Sequence, residues 1–313
     1  MNTTVDPVRT AHLLGELQDL KRLQPAHLPH SLATELFRTA WIALLQGEDP
    51  HGVGWRTTTT AVLYILFPGA DGRFFHTAGL SQDEISVVLR RALERVAGTT
   101  TSEATYSRLE AGIESLAAAY AKPPERETQF GLPQPLEVLC RQPRAGATHP
   151  TLPRLVLHPA EMHSDHCLMT AVYAVLTAED YGANAGVAFE CALAHHLHNA
   201  YLPDCGYAGE ICLGDHLDDA ISRCRTAALR AFPERLRPRI QRALQHHEQI
   251  ESPEGRAVST GDVLDRVIDV KWRTRAAAVT DQDILGELDL VHPGPLKDFQ
   301  VDLLQRTGVW TFH

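Results

Sequence analysis

Residues 123–154 carry seven prolines: Pro123, Pro124, Pro133, Pro135, Pro143, Pro150 and Pro153. Each proline fixes φ at about −65° and removes a backbone donor, so no long helix can run through this stretch. The hydrophobic pattern is helical on both sides of it. The chain therefore reads as a smaller helical N-terminal domain over 1–122, an ordered or semi-rigid connector over 123–154, and a helical domain over 155–313. The expected fold class is all-α.

Before the connector, SLATELFRTAWIALLQ (31–46) places apolar residues at helical spacing. SQDEISVVLRRALERVAG (81–98) opens with a Ser-x-x-Glu capping box and stops at Gly98. TSEATYSRLEAGIESLAAAYAK (101–122) continues the pattern. WRTTTTAVLYILF (55–67) allows either a strand or a buried helix, because its threonines and β-branched residues favour the first and its length the second.

Beyond the connector, helices are expected over 163–182, 185–200, from Asp215 as N-cap to Arg230, over 235–249, and over 261–279. Ser259-x-x-Asp262 resembles a capping box for the last of these. The loop YLPDCGYAGE (201–210) follows the second of these helices, and its glycines let backbone approach a bound molecule closely.

A net charge of −10 argues against a broad nucleic-acid-binding face but leaves room for a local basic pocket and a small anionic substrate. The six cysteines show no CxxC pair, so a zinc knuckle or thioredoxin-type motif is not expected. The beginning MNTTVDPVRT lacks a signal-peptide pattern, and no apolar run approaches the roughly 18 residues of a membrane span. Reduced thiols and a cytoplasmic location are the expectation.

Ten of the seventeen histidines lie between His149 and His247. His163 and His166 share a face at one helix start, and His195 and His198 share a face near a helix end. His216 opens another helix, His246 and His247 close one, and Asp262, Asp265 and Asp269 share a face of the last. Imidazole and carboxylate ligands on several helices are how a bundle builds a metal site in its core.

The stretch 160–275 resembles the HD superfamily of helical metalloproteins. DHCLMTAVYAVL is similar to the helix that opens on the family's first histidine. LAHH stands where the family writes LLHD, and the step from His166 to His195 is the expected 29 residues. HHE at 246–248 resembles the segment carrying a later ligand in HD-GYP proteins, and VIDV at 267–270 resembles the one supplying the final aspartate. The resemblance implies an HD-type bundle in which His166, His195, His196, His216, His246 and Asp269 hold one or two divalent transition metal ions. Iron or manganese comes first, with zinc as an alternative. His163 is the register-shifted rival of His166, and Asp262 and Asp265 have an alternative role as helix-face charges, Asp265 pairing with an arginine.

One departure is plain. The family's aspartate falls at His196, and a neutral imidazole does not bridge two ions as a carboxylate does. Either the site is mononuclear, or a carboxylate such as Asp204, Glu210 or Asp215 compensates, or a second ion binds differently.

Most of the superfamily hydrolyses phosphoesters or nucleotides, so a metal-dependent hydrolase is the leading expectation, with His198, Lys271 and Glu210 as candidate catalytic groups. Arg266 and Arg273 are weaker candidates for binding an anion. A di-iron oxygenase acting on a small polar substrate is the alternative, since a histidine-rich shell and the His195–His216 spacing look like that branch. A non-catalytic ligand-binding module is the third reading. The N-terminal domain is expected to cap the site or to pair chains in a homodimer.

Overall fold

The computed structural model describes residues 7–122, 131–156, 158–274, 286 and 290–310. It is all-α apart from one small hairpin. Fifteen α-helices are described. Seven precede the proline-rich stretch: α1 (Pro7–Leu17), α2 (Leu32–Gln46), α3 (Pro50–Tyr64), α4 (Gly72–Thr77), α5 (Gln82–Ala97), α6 (Glu103–Ala111) and α7 (Ile113–Tyr120). α8 (Gln134–Leu139) lies within it, and seven follow: α9 (His163–Tyr181), α10 (Ala185–Ala194), α11 (Gly206–Leu213), α12 (Leu217–Leu229), α13 (Arg237–Gln245), α14 (Pro253–Thr274) and α15 (Lys297–Arg306). The hairpin pairs β1 (Ala147–His149) with β2 (Leu152–Leu155), antiparallel.

Local chemistry explains most boundaries. The Ser31 hydroxyl accepts the Thr34 N–H at 3.0 Å and opens α2. At α5 the capping box is complete, because the Glu84 carboxylate accepts the Ser81 N–H at 2.8 Å while the Ser81 hydroxyl accepts the Glu84 N–H. Gly182 ends α9 in the left-handed conformation at φ 65°, which costs a glycine little.

One open alternative resolves, and three expectations need correction. The ambiguous segment 55–67 is mostly helix, within α3, because its threonines are buried and Thr60 returns its hydroxyl to the Arg56 carbonyl at 2.9 Å. The pattern over 101–122 breaks into α6 and α7 around Gly112. Asp215 does not cap α12; it lies in a 3₁₀ turn, and α12 starts at Leu217 with no side-chain cap. Ser259 and Asp262 do not open a helix, because α14 already begins at Pro253 and both lie in its interior. Residues 275–279 of the expected last helix lie outside the described residues, as do Pro123 and Pro124.

The apolar helices α9 and α10 sit at the centre. The core runs across the proline-rich segment: Leu13, Leu17 and Leu20 from the start of the chain, Trp41 of α2 and Leu93 of α5 belong to the same buried cluster as Tyr173, Phe189 and Leu264. The α2 and α3 helices pack directly on α9, and α3 packs on α10 as well. The closest approach is between α14 and α9. A Cβ on Gly261 would meet the Thr170 carbonyl oxygen at 2.3 Å, so only glycine lets these helices touch backbone to backbone. That contact brings Asp262, Asp265 and Asp269 toward the start of α9.

No helix among the described residues is long and apolar enough to cross a membrane.

Candidate metal centre

The centre grows from the start of α9. His166 there is fully buried. Its Nδ1 lies 2.6 Å from Asp265 Oδ2 on α14. The carboxylate is held in its ionised form: burial alone would raise it, but Lys21 and His166 outweigh burial and lower it. His166 Nδ1–H therefore donates to it, and His166 Nε2 is turned toward Asp262 on the opposite side.

α10 ends at Ala194, and its last carbonyls lack helical partners. His195 uses one of them, donating Nδ1–H to the Ala192 carbonyl at 2.5 Å. Its Nε2 is thereby a lone pair, 3.2 Å from His166 Nε2. His196 donates Nδ1–H to Asn199 Oδ1 at 2.7 Å, and the Asn199 amide is oriented by its own donation to the Leu202 carbonyl. A second Nε2 lone pair results. The ligand atoms of His166, His195 and His196 lie within 4.8 Å of one another. Asp262 Oδ1 adds a carboxylate oxygen 3.2 Å from His166 Nε2.

His195 Nε2, His196 Nε2 and the Asp262 carboxylate are acceptors gathered around His166 Nε2. Burial, and then the neighbouring imidazoles, push His195 and His196 well below the usual histidine range, so both are neutral near pH 7. Burial would raise Asp262, but Arg266 and His166 hold it well below the usual carboxylate range. Acceptors turned toward each other at hydrogen-bond distance repel unless a cation lies between them, and this donor set suits a divalent transition metal. The residues fit an ion.

A second buried group shares His166. Glu161 and Asp265 approach it, but Lys21 Nζ fills the space, 2.5 Å from Glu161 and 2.7 Å from Asp265. Asp269 accepts from Arg22 at 2.7 Å. This group already holds its cations.

A cavity of about 230 Å³ opens onto the centre, lined on one side by His195, His196, His198 and His247 and on the other by Arg144, Glu210 and Arg266. The hairpin and α11 close it: Thr148 Oγ1 accepts the Ala208 N–H at 3.1 Å. Tyr207 stacks on His292, with ring centroids 4.1 Å apart. Burial and the nearby Asp204 raise the Glu210 carboxyl above its usual range, and burial lowers His198 to about 4.

The structure thus brings together His166, His195 and His196, with His198 and Glu210 along the cavity wall. Asp269 also borders the cavity, tied to Arg22. His216 is exposed in the 3₁₀ turn before α12. His246 lies 3.2 Å from Ser252 Oγ, whereas its neighbour His247 faces the cavity, with its ring 5.4 Å from His195. Lys271 Nζ donates to the Val309 carbonyl at 2.5 Å, away from the cavity lining. The Arg273 side chain lies outside the described residues. Asp265 pairs with a lysine and a histidine rather than an arginine.

Sequence reasoning undervalued Asp262 and His247. Asp262 is one helical turn from Asp265 on the face already singled out, which was the available signal. Between two adjacent histidines there is no local signal. Lys21 and Arg144 carry no local signal that would have singled them out.

The chain matches no protein-family model, no curated protein and no solved structure.

Proposed function

We propose that the chain is a metal-dependent hydrolase acting on a small phosphoester or nucleotide-like anion, built on an HD-type helical metal domain with histidine at the position of the family's aspartate. The observation that carries this reading is the convergence of three imidazole nitrogens and the Asp262 carboxylate at the end of a cavity containing two guanidinium groups. His166, His195, His196 and Asp262 would hold the ion, with His247 beside them. A divalent ion bound there supplies Lewis acidity and a lowered pKa for a coordinated water. Arg144 and Arg266 orient an anionic group by charge and fork-shaped donors. Glu210, whose carboxyl burial raises above its usual range, lines the cavity as the candidate proton donor to a leaving oxygen. His198, lowered to about 4, is an acceptor at pH 7 and positions substrate. The cavity admits a small molecule and excludes a macromolecule. The six free cysteines suit a reducing compartment such as the cytoplasm.

One observation favours an iron oxygenase as the second reading: three neutral imidazoles outnumber the carboxylate, a set that suits iron.

The test is metal analysis of protein purified without added metal, with EPR spectra before and after air, followed by turnover of p-nitrophenyl phosphate and its bis-ester with Mn²⁺. Metal-dependent phosphoester cleavage that His195→Ala abolishes supports hydrolysis. Bound iron with an air-sensitive signal and no esterase activity replaces it with oxygenation. A protein that takes up no metal overturns both.

A further inference from the structure

A second cavity, of about 260 Å³, lies between α2 and α3 and is bordered by α7 and by the loop before α4. It shares no lining residue with the cavity at the metal centre. Thr57, Thr60 and Tyr64 share one face of α3 and form its wall. Tyr64 is only 8% exposed, and among the described residues its hydroxyl has no hydrogen-bond partner. The Thr57 hydroxyl, at 7% exposure, has none either, whereas Thr60 gives its own to the Arg56 carbonyl at 2.9 Å. A buried tyrosine ordinarily finds a partner for its O–H, and a threonine inside a helix has the carbonyl four residues back at hand. Two buried hydroxyls left over on one cavity wall mark that wall as a seat for a polar group from outside.

Two carboxylates stand at the Tyr64 end. Asp71 is fixed by the start of α4: its Oδ1 accepts the Arg73 N–H at 2.9 Å and the Phe74 N–H at 3.2 Å. Glu35 of α2 is held by His30, with Oε2 and Nε2 2.7 Å apart. Burial first, then Tyr120, Asp71 and Glu35, push the Tyr64 hydroxyl well above its usual range, so it is a neutral phenol that accepts as well as donates. Gly69 borders the cavity beside Asp71; at φ 71° it turns the loop so close to Pro25 that a Cβ would meet Pro25 Cγ at 2.6 Å.

The bordering guanidinium groups are engaged. Arg56 gives Nη2 to Glu48 at 2.8 Å, and Arg73 Nε lies 3.9 Å from Asp71 Oδ2. With the histidines neutral, the carboxylates of Glu35, Glu48 and Asp71 exceed the two guanidiniums by one negative charge. Leu36, Leu116 and the Tyr120 ring supply an apolar wall, and Tyr120 is set in place by stacking on Phe75, with centroids 5.5 Å apart.

We propose that this cavity binds a small organic monocation, a primary ammonium on a compact apolar body. The ammonium donates to Tyr64 Oη and to the carboxylates of Glu35 and Asp71, and the body lies against Leu36, Leu116 and the Tyr120 ring. A phenol and apolar side chains are poor substitutes for the converging oxygens that a bare metal ion needs. An anion would meet a surplus of negative charge. The site goes beyond the proposed activity and does not depend on it.

The probe is phenethylammonium, titrated into the full chain by calorimetry, with saturation-transfer NMR as the second readout. One saturable site per chain is expected, with Kd on the order of 1 mM or below. Phenylpropionate, similar in size and opposite in charge, is expected not to bind. Tyr64→Phe and Glu35→Gln keep side-chain volume, and each is expected to weaken binding about 10-fold, the scale of one hydrogen bond to a charged group. Tyr64→Phe removes no hydrogen bond of the folded chain, so it carries the test if Glu35→Gln does not fold. His195→Ala is expected to bind the amine as the wild type does. Phenethylammonium that fails to saturate by both readouts at about 10 mM overturns the site. Equal binding of phenylpropionate overturns its charge preference. Wild-type affinity in both Tyr64→Phe and Glu35→Gln, or loss of binding in His195→Ala, places the amine elsewhere and overturns the proposal.

Discussion

Two buried polar groups meet at His166, and they are opposites. On its Nε2 side, His195, His196 and Asp262 present acceptors with no cation of the chain among them except Arg266, which grips the far oxygen of Asp262 at 3.4 Å. On its Nδ1 side, Glu161 and Asp265 enclose Lys21, and Asp269 holds Arg22. Each side packs ionisable groups into the core, where an unpaired charge is costly. The Nδ1 side settles its charge with cations from residues 18–22. The Nε2 side leaves its lone pairs for an ion from outside. The difference teaches that a cluster of potential ligands marks a metal centre only where the chain has not supplied its own cation.

Removing the internal cation should break this contrast most severely. Lys21→Met leaves Glu161 and Asp265 buried without their partner and should destabilise the protein by about 3–5 kcal/mol in urea denaturation. Added Mn²⁺ should recover part of the loss, because the vacated group then resembles its neighbour. A full loss that metal does not touch would show that the two groups differ in more than their cations.

Acid should act on the metal-free Nε2 side. Burial lowers His163 and His198 to about 4 from an ordinary 6.5, and it lowers His195 and His196 as well. The unfolded chain therefore binds more protons below pH 6.5. Stability is present above that value and is lost as pH falls from 6.5 toward 4, on the order of 3 kcal/mol across the window. Bound metal should flatten this dependence near neutrality. A metal-free protein with flat stability over the same range would mean that these rings are not buried as neutral groups.

His195→Ala should weaken Mn²⁺ binding at the first centre by about 100-fold or more, since removing a ligand costs at least as much as removing its support. Asp265→Asn keeps the shape but weakens the acceptor that orients His166; a smaller loss, about 10- to 100-fold, is expected in the same titration. Equal losses in the two variants would make Asp265 a ligand rather than a positioning residue. His216→Ala and His246→Ala should change Mn²⁺ affinity by less than about twofold, as for substitutions outside the contact set. A tenfold effect from either would mean that the centre extends beyond the cavity wall.

Much of this arrangement is legible along the chain. The helix expected over 163–182, the start of the one expected over 185–200, which ends at Ala194 and passes into a 3₁₀ turn, and the glycine after Tyr181 are local features, and local features survive folding. The first two ligand helices were readable for that reason. The start of α14 was not: Ser259 and Asp262 imitate a cap, yet a helix already running from Pro253 overrides it, and Asp262 becomes a half-buried carboxylate beside His166. His246 and His247 are adjacent, so their periodic phases differ by about 100°, and only packing chooses which faces inward. His216 occupies a plausible position in sequence, but the turn that carries it points to solvent.

The sequence by itself determined an all-helical chain and the histidine-rich character of its second half, because helix period and side-chain chemistry are properties of neighbours, whereas the pairing of His166 with His195 was only what the resemblance to the HD superfamily implied. Only the tertiary structure decided which carboxylates face the three-histidine cluster and which are claimed by Lys21 and Arg22, because those cations arrive from 140 residues away, as with Lys21 on Glu161, to 247, as with Arg22 on Asp269. No local pattern encodes that distance. Burial turns it into chemistry by making every unmatched lone pair count.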